Sequence, residues 1–130
     1  MATKLFIILG NQLFDPIILK ELGCNRVFMA EDFGLCTYEK HHKLKLYLFL
    51  TAMREYCKEL ESHGIIVDYF PLEGRKKEES YVKLLLNYLH QSKFLSINFF
   101  EIEDKPFEKI LFHELENSGI VHTIHNSPMF

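Results

Sequence analysis

Short apolar runs alternate with stretches of helical periodicity along this chain. The apolar runs predict five strands, at residues 5–9, 26–30, 65–72, 94–100 and 120–124. The first run is continuously apolar, which is typical of a strand buried on both faces of a parallel sheet. The periodic stretches predict helices at residues 16–22, 39–63, 81–90 and 105–117. Strands that alternate with helices predict βαβ units and a mostly parallel, doubly wound, Rossmann-like α/β sheet with helices on both faces.

The longest predicted helix carries one apolar stripe, which we expect to face the core. Its members recur at the i, i+3, i+4, i+7 spacing and are Leu46, Phe49, Leu50, Met53, Cys57 and Leu60. The residues expected to point away are Arg54, Glu55, Lys58 and Glu61. Gly64 follows directly, where a helix C-cap favours glycine.

Length and composition describe one globular domain, residues 1–130. The chain is 48% apolar and 25% charged with a mean hydropathy of −0.04, which excludes disordered and membrane-embedded classes. The net charge of −3 gives no general attraction to nucleic acid. The three cysteines form neither a CxxC pair nor a zinc spacing, so we expect reduced thiols in a cytoplasmic protein. The apolar run at residues 5–9 is too short for a signal segment or a membrane span, so we expect no membrane partner.

The carboxyl ends of the predicted strands are the places to look for a site, because doubly wound sheets bind ligands there. This rule selects the turn Gly10-Asn11-Gln12, the acidic pair Glu31 and Asp32, and residues 101–104. The turn is not GxGxxG, and the chain contains no GxxxxGK[ST], so neither a dinucleotide fingerprint nor a P-loop is present.

Basic and titratable residues gather at the predicted start of the long helix, in the segment from Tyr38 to Lys45. Cations are unfavourable at a helix N-terminus unless an anion compensates them, so either a bound anion or a solvated basic turn explains the cluster. His41 and His42 are adjacent and lack a ligand at i+4, so we expect no metal site. No nucleophile with a base partner is evident, and we therefore assign no catalytic residue.

Three segments together are similar to a known family. They are LFIILGNQL at residues 5–13, Tyr38 with HHKLK at 41–45, and FLTAMR at 49–54 followed by GIIVDY at 64–69. In this combination the chain resembles the N-terminal domain of the deoxyribodipyrimidine photolyase-related proteins. They form the iron–sulfur branch of the cryptochrome/photolyase family, which includes prokaryotic (6-4) photolyases.

The resemblance implies an α/β antenna-type domain whose five strands lie in the order 3-2-1-4-5. Such a domain holds an antenna pigment, a ribityllumazine or another chromophore. The intact protein would be several times longer and would add a helical domain with FAD and a four-iron cluster. That domain would bind damaged DNA and carry out light-driven lesion repair, as a carbon–carbon lyase, or blue-light sensing. Residues 1–130 alone would not be catalytic.

The resemblance also implies pigment-binding positions in this chain. Gly10-Asn11-Gln12 matches the family's G-D/N-Q turn, and Tyr38 matches a tyrosine near the pigment. Leu35 stands where lumazine-binding members have a contacting glutamate, and Ala30 where they have a contacting cysteine. Glu31 and Asp32 are alternative polar contacts, and His41 would face the ligand, the DNA or the helical domain.

Two other classes remain open at this point. One is a free-standing flavodoxin-like or nucleotide-binding module, and the other is an interaction domain without a small ligand. Strand order distinguishes a flavodoxin-like module, which has the order 2-1-3-4-5, from the photolyase or nucleotide-binding type, which has the order 3-2-1-4-5.

Overall fold

The computed structural model describes residues 4–9, 12–31, 43–71, 80–91, 96–102 and 104–126. Within them five strands alternate with four helices. The strands are β1 (Lys4–Ile7), β2 (Arg26–Ala30), β3 (Ile66–Phe70), β4 (Ser96–Phe100) and β5 (Thr123–His125). The helices are α1 (Pro16–Glu21), α2 (Lys43–Ser62), α3 (Tyr81–Gln91) and α4 (Lys105–Asn117).

The five strands form one sheet in which every neighbouring pair is parallel. Their order is β3-β2-β1-β4-β5, which confirms the predicted doubly wound fold and its strand order and differs from that of flavodoxin. The chain moves outward from β1 to β3 on one side and then crosses to β4 on the other. The topological switch point therefore lies between β1 and β4.

The core consists of two layers, one on each face of the sheet. Alternate residues of β1 and the turn after it supply both: Leu5, Ile7 and Leu9 pack with α3 and α4, whereas Phe6 and Ile8 pack with α1 and α2. All five of these side chains are buried. This double burial explains why the first run of the sequence is continuously apolar.

Side-chain caps fix where two of the helices begin. Asp15 precedes Pro16 and accepts a hydrogen bond from the Ile17 N–H, so α1 begins at the proline. Asp104 caps α4 in the same way by accepting from the Phe107 N–H at 3.1 Å. In both helices proline occupies the first turn, where its missing N–H costs least.

The contact face of α2 differs in part from the predicted stripe. Met53 and Leu60 are buried as expected, but Tyr56 is buried as well, and Cys57 is only half-buried. The side chains of Leu46 and Phe49 lie outside the described part of the helix. The ring of Tyr56 spans from the helix to the segment after β1, which a cysteine is too short to do. Residues 39–42, the predicted beginning of this helix, lie outside the described residues.

The last strand begins at Thr123, three residues later than the sequence predicts. Gly119, with a φ of 71°, ends α4, and the Ile120 N–H donates to the Leu115 carbonyl. Ile120 therefore packs under the helix end, and the chain needs two further residues to return to the edge of β4.

Helix α2 is longer than the sheet it covers. Its 20 residues span about 30 Å, whereas the five residues of β2 span about 17 Å. The Ile66 N–H, which follows the helix, donates to the Asn25 carbonyl at the amino edge of the sheet. The excess length of α2 therefore extends past the carboxyl edge. None of the described helices is both long and apolar enough to cross a membrane.

Candidate functional site

Gln12 lies at the carboxyl edge of the sheet, at the switch point between β1 and β4. Its side chain is only 5% exposed. The Nε2 group donates to the Glu101 carbonyl at the end of β4 at 2.8 Å, and Oε1 accepts from the Leu9 N–H at 3.3 Å. One amide side chain thus joins the ends of the two strands between which ligands bind in folds of this type.

Glu31 lies at the same edge, directly after β2, and is fully buried. Arg54 of α2 binds its carboxylate through two parallel hydrogen bonds, from Nε to Oε2 at 2.7 Å and from Nη2 to Oε1 at 3.1 Å. The Tyr69 hydroxyl of β3 donates a short hydrogen bond to the same Oε2. We call these three side chains the edge cluster. A forked guanidinium is the partner that best compensates a buried carboxylate.

Electrostatics within the edge cluster favour a charged pair with a neutral phenol. Burial raises the pKa of Tyr69, and the neighbouring Glu31 carboxylate raises it further, so the hydroxyl keeps its proton at physiological pH. The Arg54 side chain is 45% exposed. Its guanidinium therefore neutralises the buried carboxylate while part of the side chain stays accessible at this edge.

Tyr56 holds the segment after β1 against α2. Its hydroxyl donates a short hydrogen bond to the Phe14 carbonyl, and the Phe14 ring packs edge-on against Phe100 of β4 at 5.0 Å. Burial raises the pKa of Tyr56, so this donor stays protonated. The segment that would border a ligand is thus fixed from both sides.

A shallow depression separates this segment from the outer side of α2. It is lined by Leu13, Ala52, Glu55, Tyr56, Lys58 and Glu59. Lys58 lies 3.6 Å from Glu55 and both side chains are largely exposed, so charged and solvated groups form part of its rim. The depression lacks the apolar enclosure of a small-molecule pocket.

A second cluster of the same chemistry lies on the other face of the sheet. Arg26 of β2 donates two hydrogen bonds to Asp68 of β3, at 2.7 and 3.1 Å, and Tyr88 of α3 donates to the same carboxylate. Burial opposes ionisation of Asp68, but Arg26 and Tyr88 outweigh it and hold the pKa below its ordinary value. Arg26 comes from the opposite end of β2, which makes this cluster a natural control for the first.

The sequence-predicted site residues divide into two groups. Gln12 and Glu31 are brought to one edge as expected. The positions Gly10, Asn11, Asp32, Leu35, Tyr38 and His41 lie outside the described residues, and their roles stay predictions. In residues 101–104, Glu101 contributes its carbonyl to Gln12, and Asp104 is the cap of α4.

Sequence reasoning missed the two partners of Glu31. The helical pattern predicts that Arg54 lies on the outward side of α2, and it is exposed there, yet its guanidinium reaches back to the carboxylate. The pattern predicts Tyr69 only as part of a strand. The available signal was an acid directly after a buried strand, since a buried carboxylate requires a cationic partner nearby.

The edge cluster is suited to binding and positioning rather than to acid–base or metal chemistry. Both carboxylate oxygens of Glu31 are engaged, and both polar atoms of the Gln12 side chain are hydrogen-bonded. Over the described ranges, no group of three His, Cys, Asp or Glu side chains could hold a metal ion. The fixed side chains make this edge of the sheet a rigid polar surface.

Fold and site together define a doubly wound α/β domain with a polar frame at its switch-point edge. The family model that describes the deoxyribodipyrimidine photolyase-related proteins matches residues 6–130 of this chain. The chain therefore belongs to the deoxyribodipyrimidine photolyase-related protein family. A search of curated proteins found no match.

Proposed function

We propose that this chain is the antenna-type domain of a photolyase-related protein and binds a light-absorbing pigment at the carboxyl edge of its sheet. The observation that carries the proposal is the convergence of Gln12 and the edge cluster at the edge where this fold binds ligands, in a chain of this family. The longer protein would use the captured light for repair of a DNA photolesion or for blue-light sensing, in the cytoplasm.

The described residues would provide a suitable frame for a planar heteroaromatic pigment. Such ligands bind in sites with apolar and aromatic walls and a few fixed polar groups. Phe14 and Tyr69 are partly buried aromatic side chains at this edge, and Arg54 supplies an accessible cationic donor group. When bound, the pigment would absorb near-ultraviolet or blue light and pass the excitation on.

The protein's own contribution would be to hold that ligand in one orientation. Glu31 fixes the guanidinium plane of Arg54 by its forked contact, and Gln12 keeps the ends of β1 and β4 at a constant separation. Rigid neighbours of this kind reduce the entropy lost on binding. FAD and the four-iron cluster would belong to a helical domain of the longer polypeptide, and that domain would contact damaged DNA.

The test is a titration of the purified chain with a ribityllumazine and, separately, with FMN and with a nucleotide, followed by absorbance and fluorescence. We expect saturable lumazine binding with a spectral shift. Binding of FMN alone or of the nucleotide alone would favour a free-standing flavin- or nucleotide-binding module, and saturation by none of the ligands would favour an interaction domain. Either result would contradict the proposal.

Matched arginine variants locate the ligand. Arg54→Lys keeps the charge beside Glu31 but removes the fork, and we expect it to weaken pigment binding by about tenfold or more. Arg26→Lys makes the same change in the cluster on the other face and should leave binding within about twofold. Equal effects of the two substitutions would place the ligand elsewhere.

A further inference from the structure

Strand β5 is the edge strand of the sheet on the side of β4, and two histidines anchor it. It has three residues and pairs with β4. His122 directly precedes the strand and His125 ends it. Because the two positions are three residues apart in extended chain, their rings lie on opposite faces of the sheet.

His122 serves as a core aromatic residue. Its ring stacks on Phe112 of α4 at 4.4 Å and meets the edge of Phe99 of β4 at 5.6 Å. Its Nδ1 atom is buried and has no hydrogen-bond partner among the described residues. A proton added to Nδ1 would place a charge among aromatic rings without a hydrogen-bond acceptor.

His125 is held on the other face by one ring contact and one hydrogen bond. Its ring stacks on Phe6 at 5.2 Å, and its Nε2 lies 2.8 Å from Asn98 Oδ1. Asn98 is buried and donates from Nδ2 to the Leu5 carbonyl at 3.2 Å, which fixes which amide atom faces the histidine. The Nε2 atom of His125 therefore carries the hydrogen, and Nδ1 is the basic nitrogen.

Charged neighbours act on the two rings in opposite directions. Burial lowers the pKa of His122, and Glu116 of α4 offsets this only in part. Burial likewise lowers the pKa of His125, and the Lys4 ammonium of β1 lowers it further. On the β4 side, His122 meets Phe99, whereas His125 meets Asn98, Phe100 and the backbone of the exposed Glu101.

We propose that β5 is an acid-releasable strand: protonation of His122 detaches it from β4 while the rest of the sheet stays folded. The attached strand buries the unpartnered Nδ1 atom of His122 among aromatic rings, whereas the detached strand exposes an ordinary histidine that takes up a proton near pH 6.5. Attachment is complete above that pH and weakens by up to tenfold per pH unit as the pH falls.

Release of β5 would reach the switch point through two hydrogen bonds. The Glu101 N–H donates to the His125 carbonyl at 3.0 Å, and the Glu101 carbonyl accepts from Gln12. Loss of the hydrogen bond to His125 frees Glu101, whose carbonyl also accepts the hydrogen bond from Gln12. The strand release itself depends only on β5 and its neighbours and not on the proposed pigment.

Amide hydrogen exchange of Glu101 tests the release directly, since its N–H is bonded to β5. Glu31 provides the internal control, because its N–H donates to the Phe70 carbonyl of the opposite edge strand in the equivalent way, at 2.8 Å. Between pH 7.5 and 5.0, with intrinsic rates corrected, we expect protection of Glu101 to fall about fivefold to thirtyfold. Protection of Glu31 should change less than about threefold; a parallel loss at both amides would overturn local release.

Variants of the two histidines complete the test. His122→Phe keeps the aromatic contacts and should abolish the pH dependence of Glu101 protection, whereas His125→Gln, which keeps a donor for Asn98, should retain it. His90→Gln, at an exposed histidine of α3, should leave the wild-type response intact. An unchanged response in His122→Phe overturns the proposal. Should that variant not fold, ring titration of the wild-type protein by NMR decides: a pKa of 6.5 or above at His122 overturns it.

Discussion

The contribution of a charged residue to the stability of this domain depends on how deeply its partner is buried. Glu31 and Asp68 carry the same group and have the same kinds of partner, a forked arginine and a tyrosine hydroxyl. Glu31 is fully buried, whereas the Asp68 side chain is 22% exposed. Removing the arginine should therefore cost far more free energy at Glu31, where water cannot replace it.

We predict that Arg54→Met lowers the free energy of unfolding by about 3 kcal/mol, because it leaves a buried carboxylate without its cation. Arg26→Met, the matched change at Asp68, should cost about 1 kcal/mol or less. Urea unfolding followed by circular dichroism measures both values.

The double variant Arg54→Met/Glu31→Gln tests the cause of that loss. Removing the orphaned charge should restore part of the stability, so the double variant should be more stable than Arg54→Met alone. Additive losses would show that the two residues are not coupled through the buried charge.

At the scale of elements, local caps set where helices begin. The side chain of Asp104 accepts the Phe107 N–H, and this bond satisfies a backbone donor that the first turn of α4 would otherwise expose. The cap also ends the segment that carries Glu101, so it fixes the geometry between the candidate site and α4.

We predict that Asp104→Ala lowers the free energy of unfolding by about 1 kcal/mol, because alanine cannot accept that hydrogen bond. Asp104→Asn should stay within about 0.5 kcal/mol of wild type, since asparagine caps helices nearly as well. Thermal unfolding by circular dichroism compares the two, and an equal loss in both would assign the effect to charge instead of capping.

Elements were predictable from the sequence where local chemistry decides them. Apolar runs identified all five strands, and Asp-Pro and Lys-Pro steps identified the first turns of α1 and α4. The beginning of β5 was missed because residues 120–122 are not paired in the sheet: Ile120 and His122 pack against α4 and β4 instead.

The site was predictable only in outline for a similar reason. The edge of a parallel sheet follows from strand direction, so Gln12 and Glu31 could be placed there. Arg54 and Tyr69 reach Glu31 from 23 and 38 residues away along the chain, on a helix and a neighbouring strand. Such contacts depend on the strand order and on how α2 is rotated, which periodicity alone does not specify.

For the whole molecule, Cys24 offers a probe of global unfolding. It lies in the core layer with α1 and α2, is 6% exposed, and burial raises the pKa of its thiol to about 11 from an ordinary value of 9.0. Roughly two pKa units reduce the reactive thiolate about a hundredfold, and burial hinders access as well.

We predict that Cys24, left as the one thiol in a Cys36→Ser/Cys57→Ser variant, reacts with an aromatic disulfide reagent at least about a hundredfold more slowly in native protein than in urea-unfolded protein. Its labelling rate across a urea series should follow unfolding measured by circular dichroism. Fast labelling of the native protein would indicate local opening of this core layer.

The adjacent positions of Asp68 and Tyr69 also bear on how the domain avoids misfolding. The two side chains point to opposite faces of β3, and each completes a different arginine–carboxylate cluster. A shift of β3 by one residue along β2 would exchange the faces and disrupt both clusters at once. Apolar packing alone would penalise such a slip weakly, because β3 carries large side chains on both sides. The two charged clusters therefore favour the correct alignment of β3 and β2 during folding. A misaligned pair of strands would leave two carboxylates without their hydrogen-bond partners.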